Sequence, residues 1–277
     1  MTAIGKALWF IEAQLAKDIS LETIAQFCGV SRFQLVRGFG MATGRSVIRY
    51  LRARRLSEAA KRLAAGAPDI LAVALDAGYG SHEAFTRAFQ ALFGCTPEAL
   101  RSRANLDGLK LVEVFRMDES LITELEAPRI EQGRSVRIAG IGDRFRFETS
   151  QGILALWQRL LPYLGTIPGQ QGAVTYGASY NPDGAGNFDH IAGVEVARFD
   201  DVPEELRRLT IAEQRYAVFT HRGHISTLRR TVYTIWNKWL PESGQKLAEA
   251  PDFERYDERF DPKTGNGPVE IWLPIVS

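Results

Sequence analysis

Residues 21–46, LETIAQFCGVSRFQLVRGFGMATGRS, return in altered form at residues 70–96 as ILAVALDAGYGSHEAFTRAFQALFGCT. Leu21, Ala25 and Gly29 stand 49 positions before Ile70, Ala74 and Gly78, while Ser31, Leu35, Arg37, Phe39 and Gly44 stand 50 before Ser81, Phe85, Arg87, Phe89 and Gly94. One inserted residue at Tyr79-Gly80 accounts for the step. A repeat of this length marks a supersecondary unit used twice. In each copy, apolar residues at i, i+3 and i+4 (Leu21, Ile24, Ala25; Ile70, Val73, Ala74) predict a short amphipathic helix. Gly29 and Gly78 suit the left-handed geometry that ends it, and Ser31 and Ser81 suit the N-cap of a second helix. Leu35 with Phe39, and Phe85 with Phe89, lie one turn apart and are expected to face the core. Helix, tight turn, helix, twice over, is the pattern of two helix-turn-helix units.

The faces left outward by that assignment carry Arg32, Gln34 and Arg37 in the first unit and His82, Glu83, Thr86 and Arg87 in the second. Arginine makes bidentate contacts to guanine in the major groove, and the other side chains match other base edges. An ordinary solvated face is the alternative for any one of them; the duplication argues against it for the faces together. Between the units, RSVIRYLRARRLSEAAKRLAAG reads as a long connecting helix, with Arg45, Arg49, Arg52, Arg54 and Arg55 as candidates for phosphate contact or, equally, for solvated surface or internal salt bridges. Residues 1–105 hold 14 Lys plus Arg against 8 Asp plus Glu, so a basic first half precedes an acidic second half within a chain of net charge +1.

This half resembles the DNA-binding domain of AraC-type regulators through SRFQLVRGF, YLRARRLSEAA and SHEAFTRAFQALFGCTPEALR. The resemblance implies a seven-helix domain with recognition helices at 31–42 and 81–92, and contacts to DNA from Phe33, Val36 and Arg37 and from His82, Glu83 and Arg87. The sequence departs from the family's polar preference at Val36, and Gly38 and Gly40 weaken the first recognition helix by roughly 1 kcal/mol each relative to Ala. Base reading is therefore expected more firmly from the second unit.

Near Arg103–Gly108 the pattern changes. LKLVEVFRM (109–117) reads as extended, and VRIAGIG, AVTYGASY, HIAGVEVARF, RYAVFTH and VEIWLPIV read as strands. Two segments have helical spacing, and they repeat: LWQRLLP at 156–162 matches IWNKWLP at 235–241, an offset of 79. Each lies in a strand-helix-strand-strand order. The expectation is a multidomain chain: an all-α domain with two helix-turn-helix motifs (1–105), then an α+β domain of two pseudo-repeated units (110–277), with a ligand at the seam between those units.

The second half resembles the GyrI-like effector-binding domain through YAVFTHRGHIS, IWNKWLPESG, PDFERY and VEIWLPI. That resemblance implies a pocket between the pseudo-repeats with aromatic walls around a carboxylate, which in relatives binds bulky apolar, often cationic, compounds; the matching carboxylate is Glu254. A cation there would pair with the carboxylate and gain cation–π attraction. Strand alternation offers Glu195 as a second candidate, placed on one face with Ile191, Ala197 and Phe199. Exposure of that face, or pairing with Arg198 or another base, is the alternative. Tyr176, Trp236, Trp239 and Tyr256 are candidate walls, with the two tryptophans, which lie in the repeated helical stripe, better suited to the helix core.

Some stand-alone GyrI-like proteins are hydrolases, so hydrolysis by this half is the rival reading. His221 and His224 lack the helical spacing and third ligand of a zinc site, and no nucleophile elbow, phosphate loop or nucleotide fingerprint occurs. No cofactor or metal is expected. Cys28 and Cys95 sit in helical patterns as small apolar residues, and neither a membrane span nor a secretory signal is found. The partners expected are double-stranded DNA and a small-molecule effector, with RNA polymerase a further candidate and no membrane contact; the location expected is cytoplasmic. Whether the output is activation or repression is not written in these residues.

Overall fold

The computed structural model describes residues 2–276. Seven α-helices fill the first part: α1 (Ala3–Ala13), α2 (Leu21–Cys28), α3 (Arg32–Thr43), α4 (Val47–Ala64), α5 (Ile70–Asp76), α6 (His82–Phe93) and α7 (Pro97–Arg103). The two helix-turn-helix units are α2–α3 and α5–α6. Gly29 turns the chain at φ 70° and Gly78 at φ 79°. The Ser31 hydroxyl accepts the Gln34 amide at 3.2 Å, and the Ser81 hydroxyl accepts the Ala84 amide at 3.2 Å, so each second helix starts on a side-chain cap. Leu35, Phe39, Phe85 and Phe89 are fully buried, as their one-turn spacing predicts.

Helix α4 joins the units, but two of its arginines face inward. Arg54, 4% exposed, is paired with Glu12 at 2.8 Å and Glu58 at 3.1 Å and also donates to the Val112 carbonyl. Arg55 donates to the carbonyls of Leu15 and Lys17. Their guanidinium groups satisfy carboxylates and backbone carbonyls of the protein itself rather than phosphates, while Arg45 and Arg52 stay exposed and Arg49 lies 3.9 Å from Glu148.

Residues 109–117 run extended, as read, but pair with no strand. Their amides find side chains instead: Ser57 accepts from Val112 at 2.9 Å and Tyr50 from Phe115 at 3.1 Å. Further on, Thr234 accepts from Thr123 at 3.0 Å, so this strap ties α4 to the second half.

That half is one eight-stranded antiparallel sheet. Its strands are β1 (Arg129–Gly133), β2 (Val136–Arg146), β3 (Gln170–Tyr180), β4 (Asn187–Val196), β5 (Arg207–Ile211), β6 (Gln214–His221), β7 (Asp252–Tyr256) and β8 (Val269–Pro274), in the order β1-β6-β8-β7-β3-β4-β2-β5. The two strand-helix-strand-strand repeats, β2-α8-β3-β4 and β6-α9-β7-β8, fuse where β3 pairs with β7. Here α8 is Ile153–Leu160, and α9 (Leu228–Thr234) continues through a π-helical turn, Ile235–Trp239, into α10 (Leu240–Ser243). The short strands β1, β5 and β7 have no long alternating run to announce them. Only Arg134 and Ser135 separate β1 from β2, although six strand spacings part them in the sheet. Laid flat those spacings span roughly 29 Å, whereas the linking chain reaches at most about 11 Å. The sheet therefore curls until its ends nearly meet.

The curl gives the sheet two unlike faces. On the outer one, Leu156 and Leu160 of α8 pack on Ala192, Val194 and Val196, and Ile235 and Trp236 pack on Ala217, Phe219, Ile271 and Leu273. On the inner face, residues from all eight strands converge on a cleft of about 770 Å³.

Candidate ligand pocket and nucleic-acid interface

Helix α6 presents the second unit's expected readers. His82, Glu83 and Arg87 are exposed, and Thr86 is partly covered with its hydroxyl oxygen buried and unpartnered. Glu83 lies in the first turn, where its own backbone amide and the Ser81 hydroxyl hold its carboxyl below the usual range. This face is charged, open and carried on a capped helix.

The first unit is arranged otherwise, and the expectation of an open face there is overturned for most of it. Arg32 remains exposed, 3.7 Å from Glu22, and Phe33 is half-buried. Gln34 is spent: its side-chain oxygen accepts the Ser31 amide at 2.9 Å, and its nitrogen donates to the Leu247 carbonyl at 2.7 Å across the interdomain seam. Val36 is 4% exposed and Arg37 3%. The cause is tertiary: the outer face of the C-terminal domain closes on α3. A Cβ on Gly40 would sit inside van der Waals contact of the Phe147 ring, and one on Gly38 would lie 3.2 Å from Ile4 and 3.8 Å from Trp236. Gly40, which weakens the helix locally, is what lets the two domains approach, while Gly38 makes room for Ile4 of α1, and Val36 is apolar because it is covered.

Arg37 enters the seam between the two pseudo-repeats. Its guanidinium pairs with Asp252 and lies over the rings of Phe188 (5.5 Å), Phe147 (5.9 Å) and Trp236 (5.9 Å). Its Nε and Nη1 are buried with no hydrogen-bond partner. Beneath it, period-2 alternation turns Asp252, Glu254 and Tyr256 of β7 toward the helices, together with Gly177 of β3 and His190 of β4. Gly177 has no side chain where room is needed: a Cβ there would lie 2.7 Å from the Glu254 carboxylate, 3.0 Å from the Trp157 ring and 3.4 Å from His190 Nε2. Trp157 stands edge-on to Tyr256 at 4.9 Å.

The electrostatics of this gap are unusual. Glu254 is partly buried and ringed by protein atoms, between the helices and the outer face of the sheet. Burial, reinforced by the Asp252 charge and only partly offset by Arg37, pushes its carboxyl up to about 8. Burial, with Arg37 adding to it, pushes His190 down to about 3. His190 bonds Ser179 through Nδ1 at 2.9 Å and leaves Nε2 unpartnered. Burial and the neighbouring Glu254 drive the Tyr256 hydroxyl well up. The arrangement is a polar floor between aromatic walls with hydrogen-bonding capacity unused, suited to an apolar cation.

The remaining predicted wall residues divide between the faces. Trp236 borders this gap, whereas Trp239 packs edge-on against Phe219 at 4.8 Å in the α9 core. Tyr176 and Glu195 belong to the opposite, inner face, with Phe253, Arg255 and Trp272. Glu195 shares that face with Ile191, but β4 ends at Val196, so the alternation does not carry on to Ala197 and Phe199; Phe199 packs with the α8 core. A bidentate pair with Arg134, at 2.5 and 2.6 Å, occupies the Glu195 carboxylate. A single ligand at the outer gap cannot touch both sets. In the HRGH segment, His221 bonds Thr231 at 2.8 Å and His224 bonds the Thr264 carbonyl at 2.9 Å. Among the described residues no group of three His, Cys, Asp or Glu is gathered to hold a metal, and no helix is long and apolar enough to cross a membrane.

Sequence reasoning missed Trp157, Asp252, His190, Phe147 and Phe188. Two had a signal: Trp157 is the repeat equivalent of Trp236, and Asp252 precedes Glu254 by one strand period. The others come together only through the fold.

Comparison with known proteins agrees with this architecture. Residues 126–276 match the GyrI-like small molecule binding domain and residues 24–103 match a helix-turn-helix domain. The chain belongs to the GyrI-like family, with an AraC-type helix-turn-helix domain ahead of the GyrI-like one: it is a DNA-binding transcriptional regulator with a small-molecule-binding domain. It is similar along nearly its whole length to the transcriptional regulator Rob of Salmonella typhimurium, 27% identical over 98% of this chain and 97% of the relative. Transcriptional regulator BrlR of Pseudomonas aeruginosa is 36% identical over 43% of this chain and 45% of its own length. Among solved structures, SAV2435 bound to tetraphenylphosphonium aligns with 55% of this chain and 95% of its own at 20% identity and a TM-score of 0.47.

Proposed function

We propose that the effector is a bulky apolar cation, bound in the outer gap between the two pseudo-repeats with Glu254 as its counter-ion and Trp157, Trp236 and Tyr256 as its walls. The observation that carries this reading is the Glu254 carboxyl, set beside Gly177 among aromatic rings with its pKa raised by burial. A bound cation supplies the charge that makes ionisation favourable there. On the DNA side, residues 1–105 form the reading domain, with His82, Glu83 and Arg87 of α6 addressing base edges and Arg45 and Arg52 addressing phosphates. Residues 110–277 form the sensor. RNA polymerase is the further partner, the cytoplasm the place of action, and binding rather than hydrolysis the task of the pocket.

Tetraphenylphosphonium, a large apolar monocation, is a direct probe. Calorimetry is expected to show one saturable site per chain that Glu254→Gln weakens, with the probe recovered chemically unchanged. Equal affinity in both forms excludes Glu254 as the counter-ion, and catalytic conversion of ester or thioester substrates by the full chain would favour the hydrolase.

A further inference from the structure

We infer that Arg37 is a built-in occupant of the effector pocket, and that a cationic effector takes its place and thereby releases recognition helix α3 to DNA. The inference rests on the reading of Glu254 as the effector's counter-ion and adds the regulation of that site.

Three observations carry it. The first is chemical identity. The guanidinium of Arg37 meets a carboxylate and three aromatic rings, which is the environment that an apolar cation requires. The second is incompleteness. Arg37 Nε and Nη1 and His190 Nε2 are all buried without partners. A buried polar group left unpaired is costly, so the occupant is held less well than a ligand shaped to the gap. The third is geometry. Arg37 belongs to α3, and every residue from Leu35 to Phe39, with Gly40, is buried. A helix covered in this way cannot lie in a major groove, whose contacts must come from an open helix face. Closure is built into α3 itself, since Gly40 leaves space that the Phe147 ring uses.

The exchange also selects the ligand's charge. A monocation replacing the guanidinium again sets a positive charge beside Asp252 and Glu254, whereas a neutral ligand would strip Asp252 of its partner. Displacement swings Arg37 and α3 out of the seam and restores the first helix-turn-helix unit to the same condition as the second. By linkage, an effector that favours the open form tightens DNA binding, and DNA tightens effector binding by the same factor.

The test uses the full chain in four forms: wild type, Arg37→Ala, Gly40→Ala and Glu254→Gln. Gly40→Ala forces Phe147 away from α3 without altering any pocket charge, and it retains the Arg37 side chain should Arg37→Ala fold poorly. With tetraphenylphosphonium as probe, Arg37→Ala and Gly40→Ala are expected to bind at least about tenfold more tightly than wild type, because no occupant has to leave first. Glu254→Gln is expected to lose binding. The probe is expected to raise wild-type affinity for a selected DNA site and extend its footprint by one major-groove segment, and Gly40→Ala to show both changes without probe. Equal probe affinity in wild type, Arg37→Ala and Gly40→Ala, with Glu254→Gln still impaired, overturns the occupant and leaves the pocket standing. Probe binding indifferent to Glu254→Gln, or absent in every form, overturns the pocket reading itself and the inference with it. A probe that lowers DNA affinity refutes the release of α3.

Discussion

Replacing Glu254 by Gln is expected to change how stability depends on pH, and the sign follows from the pocket. The folded carboxyl titrates at about 8 against an ordinary value of 4.5, with burial the main cause, Asp252 adding to it and Arg37 opposing. A raised folded pKa means stability fully present below the unfolded value and lost as pH climbs through the folded one. Between those limits the unfolded chain ionises while the folded chain stays protonated, at about 1.4 kcal/mol per pH unit. At pH 7 the accumulated loss is roughly 3 kcal/mol. His190 works in the opposite sense: its folded value, about 3 against 6.5, gives stability present above 6.5 and lost as pH falls toward 3. From about pH 4.5 to 6.5 the two nearly cancel in the wild type, and above that the Glu254 loss stands alone. Gln resembles the protonated carboxyl and cannot ionise. Urea unfolding followed by tryptophan fluorescence should therefore show the two proteins equally stable near about pH 4 and Glu254→Gln more stable by roughly 3 kcal/mol near about pH 7. A difference that stays constant across that range refutes the raised carboxyl; a Glu254→Gln protein that is the less stable near neutral pH, with the gap closing toward acid, would mean that Glu254 is held ionised by Arg37.

Two further changes probe the N-terminal domain. Arg87→Ala on α6 should weaken binding to a selected DNA site by about 1–3 kcal/mol and relax preference at one base pair, as read by competition footprinting; an unchanged base preference removes Arg87 from base reading. Glu12→Ala leaves Arg54 without both its 2.8 and 2.9 Å carboxylate bonds and Tyr50 without its 2.8 Å bond, with only the more exposed Glu58 remaining. Breaking such a covered pair should cost about 3 kcal/mol, seen as a lower urea midpoint, and a shift below about 1 kcal/mol would show the pair to be dispensable.

Much of this protein was legible because its strongest signals are local and occur twice. Turn glycines, serine caps and one-turn apolar spacings each act within a few residues, so both helix-turn-helix units could be placed from the chain alone. The 79-residue offset did the same for α8 and α9, and alternation found the five longer strands. Strands β1, β5 and β7, five residues each, are too short for a period to show, and it is the two-residue joints beside β1 and β5 that curl the sheet. Glu254 was reached through family resemblance, and Tyr176 and Glu195 were grouped with it because a sequence lists strand residues without saying which face of the sheet two separate strands share. The register Gly177↔Glu254 decides that, sending Tyr176 the other way. Local reasoning alone determined that α3 and α6 are second helices of helix-turn-helix units, and it found α3 the weaker of the two. Why α3 differs was decided by tertiary structure: Arg37 and Asp252, 215 residues apart, meet only when the domains close, and no spacing rule reaches that far.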